Sequence, residues 1–305
     1  MKNTVAAKYL LLALGTAIAF SSFTSTAQAD IAAATALQAQ NKVLADYRRL
    51  LPLEGGSNFR DMGGYRTQDG KTIRRGLLFR SAAPSSLTPA DATYLAQFGF
   101  ESVMDLRSSE EIELYPNRWA AQAGVDYYRH DYSIMSMIPA QGAENLASLD
   151  ISQLYPSMAL SLKPQLQQYF TLLADGKAPI MVNCSAGQDR TGITSAMLLT
   201  VLGVPHQMVV EDYLLSTDFR RPVIERGDVD LAEHAKTNAF AAMMASYSQA
   251  EETHATPLVT ADGTPYLEFA LRQIDKDYGS VEGFLTKEVG ITAEQLKRIR
   301  ALYLE

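Results

Sequence analysis

The stretch Ile180-Met181-Val182-Asn183-Cys184-Ser185-Ala186-Gly187-Gln188-Asp189-Arg190-Thr191-Gly192 decides how this 305-residue chain is read. Three apolar residues lead into it, and Ile193 to Leu202 leave it as a run that is apolar nearly all round. That order predicts a strand, a tight loop and the N-terminus of a buried helix. Gly203 and Pro205 then stop the helix. Between Cys184 and Arg190 every residue is small or polar, so the loop can curl closely around a small group.

A curled loop at a helix N-terminus turns backbone N–H groups towards one point, under the positive end of the helix dipole. Such a point binds tetrahedral oxyanions and lowers the pKa of a thiol beside it. Cys184, the only cysteine, is therefore the candidate nucleophile. As thiolate it would carry a phosphocysteine intermediate, dividing one hard displacement into two easier ones. Arg190 offers a planar fork that fits two phosphoryl oxygens, which lysine does not. Ser185, Ala186, Gly187, Gln188 and Asp189 are the candidate cradle, and Gly187 suits the positive φ of a curled loop. Thr191 places a hydroxyl where it can ease departure of the thiolate. The implied chemistry is phosphate monoester hydrolysis. A lone cysteine is more often a small buried hydrophobe. The strand before it, Ala186-Gly187 within the loop and Arg190-Thr191-Gly192 at its end select the chemical reading.

Asn183 to Gly192 resembles the signature loop of the protein tyrosine phosphatases, above all the bacterial tyrosine/serine phosphatase family with its His-Cys-x-x-Gly-Lys-Asp-Arg-Thr-Gly. Asn58-Phe59-Arg60-Asp61, Leu78-Phe79-Arg80-Ser81, Asp105-Leu106-Arg107-Ser108, Asp212-Tyr213-Leu214-Leu215-Ser216 and Tyr278-Gly279-Ser280 resemble further blocks of that family, in family order. The likeness runs from about Leu51 to the C-terminus. It implies an α/β fold with a central, mostly parallel sheet flanked by helices, a helical C-terminal part, and helices shielding the site. Two positions depart from the pattern: Asn183 stands where the family has histidine, and Gln188 where many members have lysine. That lysine is associated with members that accept phosphoinositides, so its loss argues against inositol lipids more than against phosphotyrosine.

The N-terminus reads as a processing signal. Lys2 and Lys8 precede the apolar run Tyr9 to Phe20, and Ala27-Gln28-Ala29 ends the segment as a cleavage site. The run is too short to span a bilayer. Residues 1–29 are thus expected to be removed, with the mature chain periplasmic or secreted and without stable membrane insertion. Losing two lysines and no acid takes the formal charge from −7 to −9. So acidic a chain is a poor general partner for nucleic acid. One cysteine excludes a disulfide framework. Residues 30–50 are expected to form an alanine-rich helical arm, and 51–305 the phosphatase domain. Within it, about 220–260 looks like an insertion whose Phe240, Met243, Met244 and Tyr247 are either ordinary core residues or the underside of a lid.

A leaving group needs an acid. Asp131, just after a core strand at the start of a loop, is the first candidate, and Asp189 within the phosphate loop is the second. Arg60, Arg80 and Arg107 either line the pocket, Arg60 first among them, or form structural ion pairs with Asp61 or Asp105. His130, His206, His234 and His254 show no metal-ligand spacing, so neither metal nor cofactor is expected. The expected partner is a phosphorylated protein, on tyrosine or also on serine and threonine, or a small phosphate ester. The alternatives are an inositol phosphate phosphatase, a pseudophosphatase that only binds phosphate, and, more weakly, a sulfurtransferase.

Overall fold

Arg60–Asp61 (β1), Leu78–Ser81 (β2), Ser102–Asp105 (β3), Asp126–Arg129 (β4) and Ile180–Asn183 (β5) form one sheet, in the spatial order β1-β2-β5-β3-β4. Only β1 runs antiparallel to its neighbour. The last strand in sequence thus lies between two earlier ones, with Ser81 and Asp105 both opposite Asn183. Parallel pairs require crossovers that place helices on the faces, and β2, β3 and β5 are buried at every position. The computed structural model describes residues 49–138, 151–247 and 254–305, all within one unit spanning 47–305. The expected signal segment 1–29 and nearly all of the expected arm lie outside the described residues.

The helices that matter for the site are Pro89–Ala96 (α1), Ser109–Leu114 (α2), Arg118–Ala123 (α3), Tyr155–Ser161 (α4), Lys163–Ala174 (α5), Arg190–Val201 (α6), His206–Leu214 (α7), Ala239–Tyr247 (α8), Tyr266–Tyr278 (α9) and Ala293–Tyr303 (α10). The all-round apolar run after the loop becomes α6, buried at every position but Thr200. Leu78, Met104, Ile180 and Val182 join α5, α6, α9 and α10 in the larger core. On the opposite face Phe79 meets Phe59, Phe98 and Phe100 at ring separations of 6.2, 5.3 and 4.8 Å, and Phe100 meets Trp119 at 5.4 Å. Successive strand residues point to opposite faces, which is how one short strand serves both.

Caps explain several boundaries. Thr88 closes a capping box with Asp91 at α1, and Thr292 with Gln295 at α10. The first helix stops at Ala96, ahead of Gly99 at φ +65. Thr264 does not cap α9. Its carbonyl accepts from Thr260 in a tight turn, and Pro265 occupies the N-cap.

The suspected insertion packs apart from the sheet core. Phe240 on α8 joins Tyr115 and Ile134, with Val229, Met135, Met137, Met243 and Met244 partly buried around them. It therefore rests on α2 and on the turn Ile134–Met137 rather than on the sheet. Residues 248–253 of that region lie outside the described residues.

Candidate active site

The central strand β5 delivers Cys184 between the carboxyl ends of β2 and β3, the switch point where open α/β sheets place ligands. The thiol is buried. After it the chain curls with its carbonyls outward. Ser185 O accepts from Ala83 N at 3.0 Å, and Ala186 O from Asn58 Nδ2 at 3.0 Å. Gly187 O accepts from both Asn58 Nδ2 at 2.9 Å and Arg80 Nη2 at 2.8 Å. No backbone N–H from Ser185 to Asp189 finds a partner among the described residues. Carbonyls held out with N–H groups left over make an anion nest. Gly187 is required here: its φ is +67, and a Cβ would stand 2.5 Å from the backbone of Ser81 and Ala82.

A buried ionic network backs this loop. Asp212 Oδ2 accepts from Arg80 Nη1 at 2.7 Å, and its Oδ1 from Tyr65 Oη at 2.9 Å and Arg60 Nε at 3.4 Å. Arg60 also donates to Asp212 O at 2.7 Å and to Asn58 Oδ1, which fixes the amide that clamps the loop. Asn58 itself sits at φ +54, a backbone shape asparagine tolerates better than most residues. Burial opposes ionisation of Asp212, yet Arg60 and Arg80 hold its carboxyl well below the usual carboxylate range. Burial, then the neighbouring Arg80, pulls the Arg60 guanidinium down to about 10. Two guanidinium groups against one carboxylate leave positive charge beneath the loop, which favours a bound anion.

The expectation that Arg60 binds substrate is therefore corrected. It is fully buried, its donors are consumed behind the loop, and its partner is Asp212 rather than Asp61. Asp61 instead accepts the N–H groups of Gly63 and Gly76 at 2.7 and 3.0 Å. Arg107 follows the ion-pair alternative, forking onto Asp105 with Nη2 at 2.6 Å and donating to Tyr115 O at 2.6 Å.

Arg190 is held from α2. Its Nη1 and Nη2 donate to Glu111 Oε2 and Oε1 at 2.6 and 2.5 Å, and Nη1 also to Tyr132 Oη at 2.9 Å. Ser185 Oγ donates to the same Glu111 Oε1 at 2.5 Å. Burial pushes the Glu111 carboxyl up, but Arg190 beside it and the hydroxyl of Ser185 bring it down to about 2. Burial raises Tyr132 to about 12, so it remains a phenol. Neither Glu111 nor Tyr132 was anticipated from the sequence. Ser108-x-x-Glu111 does carry the spacing of a capping box, and the structure forms it, with Glu111 Oε2 also accepting from Ser108 N at 2.8 Å.

The two candidate acids are placed differently. Asp131 has a side chain 77 % exposed, paired with Arg129 at 3.3 Å and accepting from Ser109 Oγ at 3.3 Å. Its neighbour Tyr132, not Asp131, reaches Arg190. Asp189 is half-buried, with Oδ1 accepting from Tyr155 Oη at 2.5 Å and from Gln188 Nε2 at 3.4 Å. Gln188 in turn accepts from Arg220 Nη1 at 2.6 Å, and Arg220 forks onto Glu225. The hydroxyl of Thr191 is buried and bonds to no group among the described residues, Cys184 included. The same holds for the side-chain amide of Asn183.

Comparison with known proteins fits this geometry. Residues 51–305 match the sequence profile of the tyrosine phosphatase family. The triple specificity protein phosphatase PtpB of Mycobacterium tuberculosis is 26% identical over 282 residues, covering 83% of this chain and 98% of that protein. A putative tyrosine-protein phosphatase of Cupriavidus necator is 27% identical over 249 residues, 79% of this chain and 84% of its own length. The crystal structure of P. aeruginosa TpbA in complex with pTyr aligns with 59% of this chain and 91% of its own at 15% identity and a TM-score of 0.30, a likeness too slight to argue from. The match over 51–305 makes the chain a member of the tyrosine phosphatase family.

Proposed function

We propose that the chain hydrolyses phosphotyrosine in proteins through a phosphocysteine intermediate, and that it also accepts phosphoserine and phosphothreonine. The observation that carries this reading is the loop itself. Its carbonyls are clamped outward by Asn58, Arg80 and Ala83, so its N–H groups and Cys184 are left for one anion, and Arg190, held through its Nη atoms on Glu111, keeps Nε for it. The thiolate of Cys184 attacks phosphorus as the bond to the leaving oxygen breaks. The N–H groups and Arg190 take the charge on the equatorial oxygens, the electrostatic contribution that usually dominates. Asp189 is the proposed acid, because it shares the loop with the nucleophile while Asp131 lies in solvent on Arg129. Its carboxylic proton passes to the leaving oxygen. The resulting carboxylate then takes a proton from the water that attacks phosphocysteine, which restores the thiolate and releases phosphate. Thr191, with its unpaired hydroxyl, is assigned to that departing thiolate.

The breadth of substrate rests on the mycobacterial relative, whose name carries triple specificity. The residue pattern of 1–29 supports export to the periplasm or medium, which N-terminal sequencing of the processed chain checks through a start at Asp30. The reading is tested by steady-state turnover of phosphotyrosine, phosphoserine and inositol polyphosphate substrates. Faster turnover of phosphotyrosine peptide is expected, with none in Cys184→Ser. A preference for inositol polyphosphates would overturn the substrate, and turnover in Cys184→Ser would overturn the mechanism.

A further inference from the structure

Two fully buried tyrosines converge on the acid of the phosphate loop. Tyr155 opens α4, Tyr213 lies on α7, and their rings meet edge-on at 6.3 Å between centroids. Tyr155 Oη stands 2.5 Å from Asp189 Oδ1 and 2.6 Å from Tyr213 Oη. A phenol has one proton to give. Since Tyr155 gives its proton to Asp189, Tyr213 must give its own to Tyr155, and the chain has one direction: Tyr213, Tyr155, Asp189 Oδ1. Burial, with Asp189 and then Tyr213 adding to it, raises the Tyr155 hydroxyl well above its ordinary value, so it remains a donor. Gln188 Nε2 donates to the same Oδ1 at 3.4 Å.

Gly192 belongs to this arrangement. A Cβ at that position would lie 2.8 Å from Cδ2 and 3.0 Å from Cε2 of Tyr213, so only glycine lets the ring lie against the first turn of α6.

We infer that Tyr155, backed by Tyr213, is the positioning residue of the acid: by occupying Asp189 Oδ1 with a donor, it confines the carboxylic proton to Oδ2. The inference rests on the assignment of Asp189 as the acid. Neither tyrosine gains or loses a proton in turnover. Each fixes which oxygen carries the proton that Asp189 transfers.

The experiment is a series of aryl phosphates of graded leaving-group pKa, assayed with the full chain and with Tyr155→Phe, Tyr213→Phe and Asp189→Asn. General acid catalysis supplies ~10²–10⁴-fold and matters most for poor leaving groups. The logarithm of kcat/KM should fall steeply with leaving-group pKa in Asp189→Asn. In Tyr155→Phe it should fall part of the way, with a loss of roughly tenfold or more on phenyl phosphate against little on dinitrophenyl phosphate. Tyr213→Phe should lie between Tyr155→Phe and the unaltered chain. Phenylalanine keeps both rings in place, and thermal unfolding checks that the fold is retained. An equal loss on all leaving groups in Tyr155→Phe, with a steep slope in Asp189→Asn, overturns the positioning role and leaves Asp189 as the acid. A flat slope in Asp189→Asn overturns both.

Discussion

Behind the phosphate loop, each carbonyl from Ser185 to Gly187 has a donor, and Asn58, Arg60, Arg80, Tyr65 and Asp212 are joined in one buried network. In front of it, the N–H groups from Ser185 to Asp189 have no partner among the described residues, and Cys184 and Arg190 stand at the ends of the row. The contrast shows how a protein makes an anion site that is ready before its anion arrives. Outward carbonyls must be satisfied by fixed donors, because a buried carbonyl without one costs about 1–3 kcal/mol. Only then can the N–H groups be left over. The cation excess behind the loop serves the front as well, since it stabilises negative charge there.

The comparison breaks most completely at the front. Cys184→Ser should lower turnover of p-nitrophenyl phosphate by ~10⁴-fold or more while inorganic vanadate still binds, since removal of a nucleophile spares a binding site. Arg190→Lys keeps charge and loses the fork on Glu111, and turnover should fall on the order of 10²–10³-fold. At the back, Asn58→Ala unpairs Ala186 O and shares Gly187 O with Arg80 alone. Unfolding in urea should show a loss of about 2–3 kcal/mol, and vanadate affinity should fall with it because the N–H face loosens. Retained vanadate affinity in that variant would separate the two faces.

Glu111 links the faces and gives the comparison a pH axis. Its carboxyl is held at about 2 in the folded chain against an ordinary 4.5. A depressed carboxyl contributes stability that is present above its unfolded pKa and is lost as pH falls through the folded one. Urea midpoints should therefore show the unaltered chain ahead of Glu111→Gln at pH 6. The lead should shrink between about 4.5 and 2. The smallest effect belongs to Asp131→Asn. An exposed ion pair such as Asp131–Arg129 contributes at most about 1 kcal/mol, and the leaving-group slope should not change.

The parts of the site that lie within one short stretch were legible in the sequence. Strand, cysteine, glycine, arginine and buried helix follow each other without a gap, and local pattern is what sequence periodicity records. The mostly parallel sheet was legible as well, through the blocks that resemble the family. The clamp was not. Asn58 reaches Gly187 across 129 positions and Glu111 reaches Arg190 across 79, and no local pattern says which buried donor meets which acceptor. Arg60 shows the difficulty: an arginine beside Asp61 suggested a pocket residue or a pair with that neighbour, whereas register places it on Asp212. Asp131, the first candidate acid, shows a further limit, since a loop carboxylate after a strand looks alike in sequence whether it faces the site or, as here, solvent.

The central claim is that this loop makes a covalent bond to phosphorus through Cys184. The direct measurement is acid-quenched turnover of dinitrophenyl phosphate in the Asp189→Asn variant, whose leaving group needs no acid while the base-assisted second step stays slow, followed by peptide mass mapping. The expected result is one phosphoryl group on the peptide holding Cys184, appearing as a burst of product before the steady state and absent from Cys184→Ala. A phosphoryl group on another residue, or steady turnover by Cys184→Ala, would contradict it.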